Sequence, residues 1–164
     1  MQLTLRYANT KEARPRWRFN AAYGLSDRLL LGLEYNPAVG EVNPTANWTL
    51  LPEKMDAWPP MISLGTSSDR IFSPPGTQSY FLTFAKSLPR LKLDPYVSLN
   101  YSEWERTFTV PFGISIALQP QWSLMIQNDG RNTHWLLNRT GKRNNVSLIL
   151  INGRHFGIST GVKI

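Results

Sequence analysis

Apolar and polar residues alternate with a period of two along nearly the whole chain, and helical periodicity is almost absent. Trp17, Phe19, Ala21 and Tyr23 alternate with Arg16, Arg18 and Asn20. Leu29, Leu31, Leu33 and Tyr35 follow in the same phase, separated by Gly32 and Glu34. Val110, Phe112, Ile114, Ile116 and Leu118 stand against Thr109, Gly113, Ser115 and Ala117. The pattern runs to the last residue, where Phe156, Ile158, Val162 and Ile164 interleave with Gly157, Ser159, Gly161 and Lys163. Successive side chains of a strand point to opposite faces, so each segment presents one apolar and one polar face.

Breakers cut the pattern at short intervals. Turns or loops are expected at Gly24–Asp27, Asn36–Pro44, Pro52–Pro60, Ser67–Gly76, Ser87–Asp94 and Gln119–Gln121. Asn128-Asp129-Gly130 is a strong hairpin signal, and Thr140-Gly141 and Asn152-Gly153 are further turns. This gives ten to twelve strands at the spacing of an all-β sandwich or barrel. A weak internal repeat, Tyr23–Leu33 laid over Ile116–Ile126, supports construction from hairpins. Twelve prolines and eleven glycines exclude a helical bundle or coiled coil. No apolar run reaches the length of a transmembrane helix. At 164 residues the chain reads as one domain, residues 1–164. The short run available per strand and turn also fits a fragment of a larger barrel.

The character of the second face decides what the apolar face meets. It is small and uncharged: Gly32, Ser98, Asn100, Thr109, Ser115, Ser123 and Gln127 stand where a soluble sheet would carry Lys and Glu. Such a face suits a narrow lumen, with the apolar face outward in lipid. Only a closed barrel satisfies every strand N–H and C=O in hydrocarbon. The expected fold is therefore an all-β, antiparallel up-and-down barrel of ten to twelve strands that spans a membrane. Trp17, Tyr23, Tyr35, Trp58, Tyr101, Trp104 and Trp122 lie at strand ends, as interfacial girdles require. The alternative is a soluble barrel or sandwich that binds a ligand or glycan on its aromatic rings.

Eighteen Lys and Arg against eleven acids give a formal charge of +7. This points to anionic partners such as lipopolysaccharide phosphates, acidic glycans or small anionic solutes. The charges are scattered, with clusters at Arg14–Arg18 and Arg139–Arg143, and lack the long block of a nucleic-acid tail, so no nucleic-acid partner is expected. With no cysteine, disulfides, thiolate metal sites and cysteine nucleophiles are excluded. The first residues read as a strand and not as a leader, consistent with a mature or truncated chain or with a cytosolic one.

Candidate chemistry is sparse. A metal site would need both His134 and His155 plus carboxylates, and the two lack the close spacing of a metalloprotease motif, so no metal and no cofactor are expected. Glu103 and Glu105 flank Trp104 in what reads as an exposed acidic loop rather than a glycosidase pair. Gly157-Ile-Ser-Thr-Gly161 fits the nucleophile-elbow string, but no helix follows it. Four Asn-x-Ser/Thr sequons read as accidents of composition. Arg16, Arg18, Glu34, Asn100 and Gln127 are the candidate lumen-lining residues; Arg and Glu inside a narrow barrel pair and plug it, or line a path for anions.

The hairpin Tyr23–Tyr35 and the closing strand Phe156–Ile164 resemble those of bacterial outer-membrane β-barrel proteins. The stretch Trp122–Trp135 is similar to hairpins of exopolysaccharide-associated and porin-like barrels of that membrane. The resemblance implies an outer-membrane location, contact with the lipid bilayer and lipopolysaccharide, and a non-catalytic structural, envelope-associated or small-channel role. Outer-membrane lipid hydrolases place a His and a Ser near the end of a barrel, so His155 and Ser159 invite an esterase reading. Residues four apart on a strand lie about 13 Å apart, too far for proton transfer.

Overall fold

The computed structural model describes residues 1–54, 58–69 and 73–164; the middles of two expected loops, 55–57 and 70–72, lie outside them. The strands are β1 (Gln2–Ala8), β2 (Trp17–Gly24), β3 (Leu29–Asn36), β4 (Glu41–Leu51), β5 (Met61–Ser68), β6 (Gln78–Ala85) and β7 (Leu93–Ser102). They continue as β8 (Thr107–Thr109), β9 (Phe112–Gln119), β10 (Trp122–Asn128), β11 (Thr133–Thr140), β12 (Asn144–Ile151) and β13 (His155–Lys163). One helical turn, α1 (Ala13–Arg16), precedes β2, and one 3-10 turn, Pro89–Leu91, precedes β7.

Apart from β8 and β9, every strand pairs antiparallel with its neighbours in sequence, and β1 closes on β13 from Gln2↔Lys163 to Ala8↔Gly157. The result is a closed up-and-down barrel. β8 and β9 both pair with β7, through Asn100↔Thr109 and Val97↔Phe112, and form one stave broken at Val110–Pro111, so thirteen strands make twelve staves. The alternation alone reads this stave as continuous over Thr107–Leu118; Pro111 has no N–H to give the ladder and splits it. Its carbonyl still accepts from Ser98 N–H at 2.8 Å, which holds the phase across the break.

Two expected loops shrink. β4 begins at Glu41, not beyond Pro44, so the connection is only the four-residue turn 37–40. Pairing with β5 starts at Ala46, so Pro44 lies where β4 has a neighbour on one side alone and its missing donor is tolerated. β7 likewise starts at Leu93, inside the segment expected to be a turn.

Burial is inverted relative to a water-soluble domain. Among the described residues the buried apolar side chains are Ala8, Ile149 and Ile151, with Pro15 of α1. The buried polar set includes Glu34, Asn36, Asn43, Ser63, Asp69, Ser98, Ser102, His134 and Ser147. Leu33, Val42, Leu64, Leu99, Phe112, Leu148 and Ile158 are exposed on the outside. A continuous apolar exterior of this extent is stable in hydrocarbon and not in water.

The interior is filled partly by rings laid over glycines. Gly65 faces Phe81 and Gly113 faces Tyr96 on neighbouring strands. A Cβ at Gly65 would stand 2.5 Å from the Phe81 ring, and one at Gly113 2.6 Å from the Tyr96 ring. Only glycine lets these rings lie across the pleat of a narrow barrel.

The lipid-facing assignment is testable at Leu148, which sits in mid-strand paired with Ile158 and Leu137. Leu148→Arg is expected to destabilise the barrel by about 2–4 kcal/mol when unfolding is followed by urea titration in lipid vesicles. An exposed position of a water-soluble sheet would change by no more than about 0.5 kcal/mol.

Candidate functional site in the barrel lumen

The alternating strand directions sort the connections into two ends. The upper end holds α1 and the β3–β4, β5–β6, β7–β8, β10–β11 and β12–β13 connections; the lower end holds the remaining turns and both chain ends. The side chains that could do chemistry gather at the upper mouth.

Glu34 is 1 % exposed and projects inward from β3. Arg18 of β2 pairs with it at 3.1 Å, and the Glu34 carboxylate also accepts from Asn36 Nδ2 at 2.9 Å and Ser68 Oγ at 2.6 Å. Arg18 Nη2 reaches Ser68 Oγ at 3.1 Å, crossing from β2 to β5. A second centre lies above it. Arg14, carried into the mouth by α1, donates through Nε to Glu41 Oε2 at 2.9 Å. Its Nη1 donates to the carbonyls of Asp69 and Ser73 and to Ser73 Oγ. Glu41 also accepts from Gly76 N–H. Asn36 Nδ2 lies 3.4 Å from Glu41 Oε2 and links the two centres.

The network continues around the mouth. Asp69, 1 % exposed, accepts from Ser102 Oγ and from Trp104 N–H at 3.4 Å. Glu105 pairs with Arg131 of the β10–β11 turn at 3.0 Å. In that turn Asp129 accepts from the N–H groups of Arg131 and Asn132 at 2.9 and 2.7 Å, and from His134 Nε2 at 3.0 Å. His134 Nδ1 accepts from Asn152 N–H at 3.3 Å, which places the ring proton on Nε2 and ties two turns together. The arrangement suits a polar closure of the mouth. Opposite charges are neutralised pairwise in a low-dielectric site, where an unpaired charge would be expensive.

The structure places Arg18 and Glu34 in this network, and Asn100 and Gln127 on inward positions of β7 and β10. Gln127 Oε1 accepts from Tyr96 Oη at 3.5 Å. Arg16 is corrected: it is the last residue of α1, not a strand residue facing the lumen. Its guanidinium holds the carbonyls of Thr10 and Lys11 at 3.1 and 3.2 Å, stapling the β1–β2 connection. Arg14, Glu41, Asp69, Ser68 and Arg6 were not among the sequence candidates. Arg6 was legible, since it alternates with the outward Leu5 and Tyr7. It sits opposite Arg18 in the β1–β2 ladder, with Nε and Nη2 buried and lacking a hydrogen-bond partner among the described residues.

The rings segregate to the two ends of the exterior. Trp17, Tyr35, Tyr101 and Trp104 are at the upper end, with Tyr101 against Phe108 at 5.2 Å; Tyr23, Trp58 and Trp122 are at the lower end. His155 Nδ1 lies 3.2 Å from the Asn9 carbonyl oxygen, while Ser159 sits four residues further along β13 opposite Arg6 and Ser147. Among the described residues no cluster of three or more His, Asp or Glu could hold a metal ion.

Burial raises the Asp129 carboxyl, but the His134 ring and the turn N–H groups outweigh it and leave its pKa below the ordinary value. The folded state therefore binds fewer protons than the unfolded chain. The stability this supplies is complete above the unfolded value of about 3.9 and is lost as pH falls through the lowered one. Asp129→Asn is expected to flatten the acid limb of a stability-versus-pH profile read by tryptophan fluorescence in detergent. It should also leave the Arg131 and Asn132 amides less protected in hydrogen exchange.

No family model matches the chain, and no curated protein matches it in sequence. Among solved structures, the NanC porin in a rhombohedral crystal form superposes with a TM-score of 0.61, covering 99% of each chain at 11% identity. At that identity the likeness is one of fold: a closed antiparallel barrel of the same extent as a porin.

Proposed function

We propose that this chain is a non-catalytic outer-membrane β-barrel that acts as an envelope scaffold and a narrow, plugged channel for small anionic solutes. The observation that carries the reading is the inverted barrel itself: an apolar exterior around a polar interior whose upper mouth is crossed by ion pairs. The porin likeness supports the outer-membrane setting. The pairing of Arg18 with Glu34 and of Arg14 with Glu41 favours a plug over a wide aqueous pore. Arg6, opposite the Glu34-paired Arg18 in the β1–β2 ladder, adds a further positive charge to the lumen, which favours anions over cations. The esterase reading has no support in the placement of His155 and Ser159. No feature of the barrel bears on the exopolysaccharide association that the sequence resemblance implied.

Conductance in planar bilayers tests the reading. The wild-type barrel is expected to insert and give small, anion-preferring steps. The double variant Arg14→Ala with Glu41→Ala removes both partners, leaving no buried charge orphaned, and should raise the conductance severalfold. Arg6→Gln should shift the reversal potential towards cations without changing insertion. A chain that stays monomeric and folded in water without amphiphile would overturn the proposal.

A further inference from the structure

The two ends of the barrel differ in charge. At the upper end acids and bases meet: Arg14 with Glu41, Arg18 with Glu34, Arg131 with Glu105 and His134 with Asp129. The lower end is different. The 86–92 connection carries Lys86, Arg90 and Lys92, and the β11–β12 turn region carries Arg139, Lys142 and Arg143. Lys163 closes β13, and Arg28 and Lys54 complete nine cations among the described residues of this rim. Against them stand three side-chain carboxylates among the described residues, Asp27, Glu53 and Asp94. Glu53 is spent on Lys86 at 3.0 Å and on Ser87 N–H, and Asp94 accepts from Ser87 Oγ. Among the described residues, most of the excess positive charge therefore sits on one rim.

That rim also carries apolar tips. Trp58 is 82 % exposed and Leu91 65 %. Together with Lys86, Ser87, Pro89 and Arg90 they line a cleft of about 470 Å³. Arg139 lies over the Trp122 ring at 6.0 Å, holding a cation at the level of an outward-facing ring. A second cleft, of about 340 Å³, opens between lipid-facing Leu3 and Val162, with Lys142, Arg143, Lys163 and the Asn144 and Asn145 amides around it. Lys142, Arg143 and Lys163 have no ion-pair partner among the described residues.

We propose that the lower rim binds the phosphate headgroups of anionic phospholipids, with the Lys142–Arg143–Lys163 cleft and the Trp58–Arg90–Leu91 cleft as two headgroup seats. This rests on the membrane-spanning reading above and adds the surface and the lipid class. Cations recognise the phosphate. The interleaved Trp and Leu tips enter the acyl boundary just below it, which a soluble polyanion gives no reason to expose.

The experiment uses the full chain refolded in detergent, its fold checked by heat-modifiable gel migration. An equal mixture of phosphatidylglycerol and phosphatidylcholine is added, and the lipids retained are read by native mass spectrometry. Wild type is expected to retain phosphatidylglycerol preferentially. The variant Lys142→Glu, Arg143→Glu, Lys163→Glu should lose that preference roughly tenfold. The matched upper-end variant Lys11→Glu, Arg106→Glu, Arg154→Glu should keep it. Equal retention of both lipids by folded wild type, or equal loss in the two variants, overturns the proposal. So does displacement of phosphatidylglycerol by inorganic polyphosphate together with polyphosphate binding in the absence of lipid, which would assign the rim to a soluble polyanion. A chain that shows no heat-modifiable form and stays in aqueous solution fails earlier, at the membrane-spanning reading, and takes the rim proposal with it.

Discussion

Main-chain hydrogen bonding in a medium without water governs this structure. Every strand N–H and C=O that faces hydrocarbon needs a protein partner, and a sheet satisfies this only by closing on itself. Here closure is made by β1 against β13, from Gln2↔Lys163 to Ala8↔Gly157, with the first residue's ammonium and the last residue's carbonyl 3.0 Å apart. Once the sheet is closed, alternation along each strand becomes a radial separation. Odd-numbered rings and aliphatics in β2 and β3 go to the outside, and Arg18, Asn20 and Glu34 go to the inside.

Closure also creates the interior's problem. A confined lumen lined by uncharged, small residues accepts a few charges only if they are paired. The upper mouth solves this with α1, which lowers Arg14 onto Glu41 and the carbonyls of the β5–β6 connection. The same principle explains the glycines opposite Phe81 and Tyr96: bulk enters the lumen only where the neighbouring strand gives up its side chain. The lower rim, at the solvent boundary, needs no such neutralisation.

The polarity of the two ends is thus a division of labour. Internal pairing consumes the charge at the upper mouth and makes that end a closure. At the opposite end cations outnumber carboxylates among the described residues and lie beside exposed Trp58 and Leu91, the combination on which the headgroup proposal rests. The proposed structural and conducting roles both draw on the same radial separation.

Much of this was legible in the residues themselves. Alternation depends only on neighbours in sequence, so the all-β class, the hairpin at Asn128-Asp129-Gly130, the outward set and the polar inward set could be read directly. Loop boundaries at Asn36–Pro44 and Ser87–Asp94 could not, because a proline at the end of one ladder is tolerated by a partner on the other side. Nor could the break at Pro111 within an otherwise unbroken phase. Alternation alone carries the phase of β2 one residue too far, to Arg16, which the tertiary structure puts in a helical turn with its guanidinium on loop carbonyls. Arg14, Glu41, Asp69 and Ser102 lie far apart in sequence, and only the closed barrel brings their connections to one mouth. Local period set which side of the ribbon is greasy; long-range closure decided which charges meet, since a pair is a property of two strands and not of either one.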